Sequence, residues 1–106
     1  MKGIKVMKKV INGKKYDTDT ACEVDSYYEG NYGEFFSFYE TLYQKKTKEF
    51  FLECAGGPMS KYSEDFNGDL SGTHFLKPLS DADAKKWVEK HCGADIYEKL
   101  FGEVEE

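Results

Sequence analysis

Arginine is absent from this chain: all fifteen basic side chains are lysine. Arginine supplies the flat, forked guanidinium that reads guanine bidentately, so its absence argues against sequence-specific DNA recognition. Long apolar runs are missing too. No stretch approaches the roughly 18 uninterrupted apolar residues of a membrane span, so no membrane partner is expected. Lys5, Lys8 and Lys9 interrupt the N-terminal residues and deny them the apolar run of a signal peptide. The three cysteines, Cys22, Cys54 and Cys92, are odd in number and widely spaced, which predicts reduced core thiols in a cytoplasmic protein. There is no CxxC or HxxxH pair, so neither a metal site nor a cofactor is expected.

What the chain does have is aromatic side chains and sorted charge. Aromatic residues make up 16% of its 106 positions, enough for one compact core without disulfides and far from the composition of a disordered tail. A single domain over 1–106 is expected. The first fifteen residues hold six lysines and no acid, while the remainder holds nine lysines against twenty acids. A −11 body repels a polyanion and suits a basic protein partner, so nucleic acid is disfavoured despite the lysine-rich arm. Those arm lysines read more simply as the solvated face of an edge strand.

Patterning predicts an α+β fold, a small antiparallel sheet packed against C-terminal helices. Residues 4–11 and 14–17 read as a hairpin, because Asn12-Gly13 suits a type I′ turn. The cap-rich Asp17–Thr20 predicts a short helix over Ala21–Ser26, followed by a loop over Tyr27–Gly33. Alternation over 36–43 places Phe36, Phe38, Glu40 and Leu42 on one face, and 49–54 returns with Phe50, Leu52 and Cys54 inward. Residues 60–72 read as a polar loop and 73–77 as an edge strand ended by Pro78. Helices follow at 80–92, capped by Ser80 and closed by Gly93, and at 95–101, stopped by Gly102. Alternation cannot bury Phe50 with Phe51, or Phe38 with Tyr39, on one face. Both faces are therefore covered, or several tyrosines are exposed.

The chain offers no catalytic set of residues, and a non-enzyme is expected. With two histidines, one in a strand and one on a helix, no base is tied by sequence to a nucleophile. Ala55–Lys61 lacks phosphate-loop spacing, and Pro58 removes an amide from any such nest. Four acid pairs at i, i+2 match what composition alone gives, roughly four, so phosphate mimicry is not indicated. The candidate binding residues are the acids without an evident capping role, Glu29, Glu34, Glu64, Asp65 and Asp69. Tyr27, Tyr28 and Tyr32 lie beside the first two as aromatic anchors. Solvated surface is the plain alternative for all of them.

Val10–Ala21 (VINGKKYDTDTA) resembles the start of a family of small proteins carried by phages and mobile elements of gut-associated Firmicutes. The likeness continues through Glu40–Thr47 (ETLYQKKT), Glu49–Leu52 (EFFL) and Gly56–Tyr62 (GGPMSKY). It ends with Pro78–Ser80, Ala84, Trp87, Ala94-Asp95, Tyr97-Glu98 and Phe101-Gly102, and so spans nearly the whole chain. Some proteins of this look are similar to anti-CRISPR proteins, which bind and inhibit a Cas effector. The resemblance thus implies a stoichiometric inhibitor with a CRISPR effector as its basic partner. A non-catalytic interaction module of a mobile element is the alternative, and a lysine-armed nucleic-acid binder comes last.

Overall fold

The computed structural model describes residues 6–31, 34–66 and 68–106. Eight strands precede two helices: β1 (Lys8–Ile11), β2 (Lys14–Asp17), β3 (Cys22–Glu29), β4 (Phe38–Gln44), β5 (Phe50–Gly56), β6 (Glu64–Phe66), β7 (Asp69–Ser71), β8 (Thr73–Leu79), α1 (Asp81–His91) and α2 (Ala94–Phe101). The main sheet is antiparallel with order β3-β4-β5-β8, and β1-β2 and β6-β7 form separate two-stranded sheets. The fold is α+β, as the sequence predicts, with hairpins first and helices last.

The main sheet is buried differently on its two faces. Leu42, Phe50, Leu52 and Cys54 point toward the helices and pack with Ala84, Trp87 and Val88. Phe51, Tyr43 and Leu76 point the other way and are covered by Tyr16, Met7 and Ile11 of the β1-β2 hairpin. This resolves the Phe50-Phe51 conflict, because each ring has its own cover. Full burial of Phe51 contributes about 2 kcal/mol. The predicted first hairpin exists, with Asn12 and Gly13 both at positive φ, 53° and 78°. However, it lies across the second face and does not extend the main sheet. Its first strand starts at Lys8; the predicted residues 4 and 5 lie outside the described residues.

Several expectations are corrected. Ala21–Ser26 forms no helix: Cys22 to Ser26 open strand β3. Asp17 instead closes a turn, accepting from Asp19 N at 2.9 Å, and long-range pairing with β4 overrides the local cap signal. Tyr27 to Glu29 continue that strand. Phe36 belongs to a turn and is exposed, so the inward face of β4 starts at Phe38. The loop 60–72 contains the β6-β7 hairpin, turned at Gly68 with φ 88°. Pro78 lies inside β8 and does not end it, which an edge strand tolerates. Gly93 has φ −84° and starts α2; α1 closes on Cys92 in extended conformation. Of the three thiols only Cys54 is buried; Cys92 is half-buried and Cys22 exposed.

The Ser80 cap is present, its Oγ accepting from Asp83 N at 3.1 Å, and Gly102 (φ 95°) follows α2. Trp87 is buried and touches the sheet directly, donating from Nε1 to Glu40 Oε1 at 2.8 Å. Among the described residues no helix is long and apolar enough to cross a membrane.

Candidate functional site

Among the described residues, the second face is only half covered. Cross-strand register aligns Tyr28, Tyr39, Ala55 and His74 in one row across all four strands. Among the described residues, the apolar contacts of the β1-β2 hairpin reach Leu76 and stop short of this row. Tyr28 and His74 are exposed, and Tyr39 and Ala55 are half-buried.

One end of this open half is shaped by a backbone clamp between two turns. Gly57 N donates to Ser37 O at 2.9 Å and Met59 N to Phe35 O at 2.8 Å. A Cβ on Gly57 would fall against the Phe35 carbonyl, so the clamp requires glycine there. Ser37 Oγ donates to Glu34 O at 2.9 Å, and Ser60 Oγ to Gly57 O at 2.8 Å, tightening each turn. The backbones are satisfied by one another and the side chains turn outward. Phe35, Phe36, Met59 and Tyr28 are 65%, 57%, 62% and 47% exposed. Exposed apolar residues are ordinary when scattered; clustered aromatics and methionine are the mark of a binding surface. A shallow depression of about 390 Å³ runs between Tyr28, Glu34, Phe35, Tyr39, Ala55 and Pro58.

Beneath the row lies a buried carboxylate. Glu53 is nearly inaccessible, with Oε2 2.6 Å from His74 Nε2 and 3.4 Å from Tyr39 Oη, while Tyr43 Oη donates to Oε1 at 3.3 Å. Burial, with Glu53 beside it, pushes the Tyr39 phenol up to about 12, and the same causes raise Tyr43. These tyrosines are therefore neutral donors throughout the physiological range. The helix face carries a second buried carboxylate, Glu40, which accepts from Trp87 Nε1, from the Tyr62 hydroxyl and from Lys61 Nζ at 3.0 Å. Burial raises its pKa; the hydrogen bonds from Tyr62, Trp87 and Lys61 together outweigh that and hold it below the usual carboxylate range.

The structure divides the sequence-predicted site residues. Tyr28 and Glu34 share the depression. Tyr27 and Glu29 face the helices: the Tyr27 ring lies 4.0 Å from that of His91, and its hydroxyl donates to Glu29 at 2.8 Å. Tyr27 is therefore engaged within the protein. Glu64, Asp65 and Asp69 sit on the β6-β7 hairpin, whose base meets the same sheet end where Gly72 abuts the Gly56 carbonyl. Tyr32 lies outside the described residues. The acids are less free of structural duty than their sequence positions suggest. Glu34 accepts from Asn31 N at 2.6 Å and Asp65 from Gly68 N at 3.0 Å, each closing its own turn.

Sequence reasoning missed Tyr39, Glu53, His74, Phe35, Pro58 and Met59 as neighbours. The available signal was a charged residue inside each of two aromatic-bearing strands, Glu40 in β4 and Glu53 in β5. Thiol chemistry is poorly supported at the two half-buried or buried cysteines. Cys92 Sγ lies 3.5 Å from Asp25 Oδ2, and burial with that carboxylate pushes the thiol up to about 11, while burial raises Cys54 to about 11. A reactive cysteine needs the opposite shift. His74 and Cys54 point to opposite faces of the sheet. Among the described residues, no group of three His, Cys, Asp or Glu could hold a metal ion.

No protein-family model, curated protein or solved structure matches this chain.

Proposed function

We propose that this chain is a stoichiometric, non-catalytic inhibitor encoded by a phage or mobile element, acting in the bacterial cytoplasm by binding a CRISPR effector. The observation that carries binding is the row of Tyr28, Tyr39, Ala55 and His74, left uncovered among the described residues, with Phe35 and Met59 standing exposed at its end. Rigid aromatic side chains on a sheet lose little entropy on contact and supply large apolar area, as interface anchors do. Glu34 at the rim, and Glu64, Asp65 and Asp69 on the neighbouring hairpin, favour a partner with a basic surface. The choice of a CRISPR effector rests on the resemblance of VINGKKYDTDTA, ETLYQKKT and GGPMSKY to mobile-element proteins.

The test is a pull-down from a CRISPR-bearing host followed by an interference assay in the same strain. Tyr28→Ala with Phe35→Ala is expected to weaken partner binding by about 30-fold or more, the scale of an interface hot spot, at unchanged melting temperature. Interference left intact in every system assayed removes the CRISPR assignment. Partner binding that survives loss of Tyr28, Phe35 and Met59 together removes the surface. Capture of a partner without any effect on interference would favour the plain interaction module.

A further inference from the structure

The opposite end of the main sheet has the reverse chemistry. There the β4-β5 turn and the β1-β2 hairpin enclose a cleft of about 370 Å³ walled by Lys14, Lys15, Lys45 and Lys46, with Thr20 and Thr47. Lys48 lines the adjoining depression. Two carboxylates lie in the wall, and both are engaged. Glu49 accepts from Lys14 at 2.7 Å and from Thr47 at 3.1 Å, with Lys45 at 3.5 Å. Asp17 is buried, closes its own turn and faces Lys8 at 3.8 Å. Lys45 is also fixed from below, its ammonium 3.7 Å from the centre of the Tyr16 ring. Five lysines against two carboxylates leave a surplus of three positive charges. Among the described residues, Lys15, Lys46 and Lys48 make no ion pair with a carboxylate.

An independent observation falls on the same turn. Lys48 has φ 77°, in the left-handed region where glycine or asparagine is comfortable and a lysine is strained. Its backbone is pinned there by Lys48 N donating to Lys45 O at 2.9 Å and by Gln44 Nε2 donating to Lys48 O at 3.3 Å. Strained backbone held in place by its surroundings points toward function. A lysine kept where glycine would fit better supplies charge to the depression adjoining the cleft.

We propose that this lysine cleft, a local surplus of positive charge on a chain that is acidic as a whole, binds the phosphodiester backbone of a nucleic acid against the expectation from net charge. Compact ammonium groups contact phosphates as point charges, and the Thr20 hydroxyl adds a neutral donor, the Thr47 hydroxyl being spent on Glu49. No base readout is expected, because arginine is absent, no aromatic ring among the described residues lines the cleft and nearby Tyr16 lies buried beneath Lys45. The site is therefore non-specific in sequence and sensitive to salt. It lies at the other end of the sheet from the aromatic row and is independent of the inhibitor reading. A protein acting on a nucleic-acid-bound effector could use both ends at once.

Fluorescence anisotropy with a short labelled DNA duplex of mixed sequence tests this. With three lysines engaged, the slope of log K against log salt is expected to be about −2.7. Raising salt from about 50 to about 200 mM should then weaken binding by roughly 40-fold. The Lys15→Glu, Lys46→Glu, Lys48→Glu triple variant should lose binding, while Tyr28→Ala with Phe35→Ala should retain it. Should the triple variant misfold, Lys48→Gly provides the second arm: relief of the left-handed backbone raises the melting temperature while removal of the charge lowers affinity. Absence of binding at about 50 mM salt, undiminished binding by a folded triple variant, or a slope near zero would each overturn the proposal. Complete displacement of the duplex by inorganic phosphate at constant ionic strength would overturn it in favour of a free-anion site.

Discussion

The two faces of the main sheet each bury a glutamate, and they treat it differently. On the helix face Glu40 is held by an indole N–H, a phenol and an ammonium, and those donors join α1 and the segment after β5 to β4. On the other face Glu53 is held by His74, which is exposed, and by two phenols at longer distance. Burial is similar in the two cases, and each carboxylate has one exposed donor among the described residues, Lys61 on Glu40 and His74 on Glu53. They differ in their sheltered donors, the Trp87 indole at 2.8 Å against phenols at 3.3 and 3.4 Å. A carboxylate with a close sheltered donor acts as a latch, whereas one whose only close donor is exposed can exchange that bond for water. The closed face is built for stability, and the half-open face keeps its polar groups within a visitor's reach.

The largest expected effect separates these two carboxylates. Glu40→Ala leaves the buried Trp87 N–H and the Tyr62 hydroxyl unpaired and should cost about 3 kcal/mol in urea unfolding. Glu53→Ala should cost only about 1–2 kcal/mol, because His74 turns to solvent and the tyrosine bonds it loses are long. Equal losses would erase the distinction between latch and open site.

A smaller effect follows from acid. The folded-state pKa of Glu40 lies below the ordinary carboxylate value of 4.5. Its contribution is therefore complete above that value and is lost as the pH falls through the lowered folded value. In Glu40→Gln the acid limb of the stability curve should flatten, measured as urea midpoint against pH. A limb that keeps its slope in this variant would place the sensitivity in other carboxylates.

The smallest effect lies at the open end. Tyr28→Ala and Phe35→Ala remove side chains already largely in water, so each should change stability by less than about 0.5 kcal/mol. A larger loss by thermal melting would mean that these rings support the fold, and the comparison of the faces would fail from the other side.

Strand and helix order were legible in the sequence wherever local signals agreed with tertiary demand. Asn12-Gly13, the alternation of 38–43, the Ser80 cap and Gly102 each act within a few residues and appear as expected. Cys22–Glu29 failed that way because Asp17–Thr20 offers the same side chains to a turn as to a helix, and pairing with β4 decided between them. The aromatic row could not be read from the chain. Tyr28, Tyr39, Ala55 and His74 become neighbours only through the register of three strand pairs, which sequence spacing does not encode. Phe35 and Met59 appeared as members of a turn, and only the clamp at Gly57 shows why they are left in water.

Pro78 carries a consequence best put in the language of polymer growth. A sheet elongates by adding strands to whichever rim still offers alternating N–H and C=O groups. Within edge strand β8, proline fits where its missing N–H would have faced outward, so that rim lacks a rung. The other rim, β3, is terminated by different means: Glu23, Asp25 and Glu29 line it, and a register shift between Glu23 and Asp25 breaks its periodicity. With both growing ends stoppered, strand addition is closed to newcomers, and any protein that recognises this sheet has to approach it broadside.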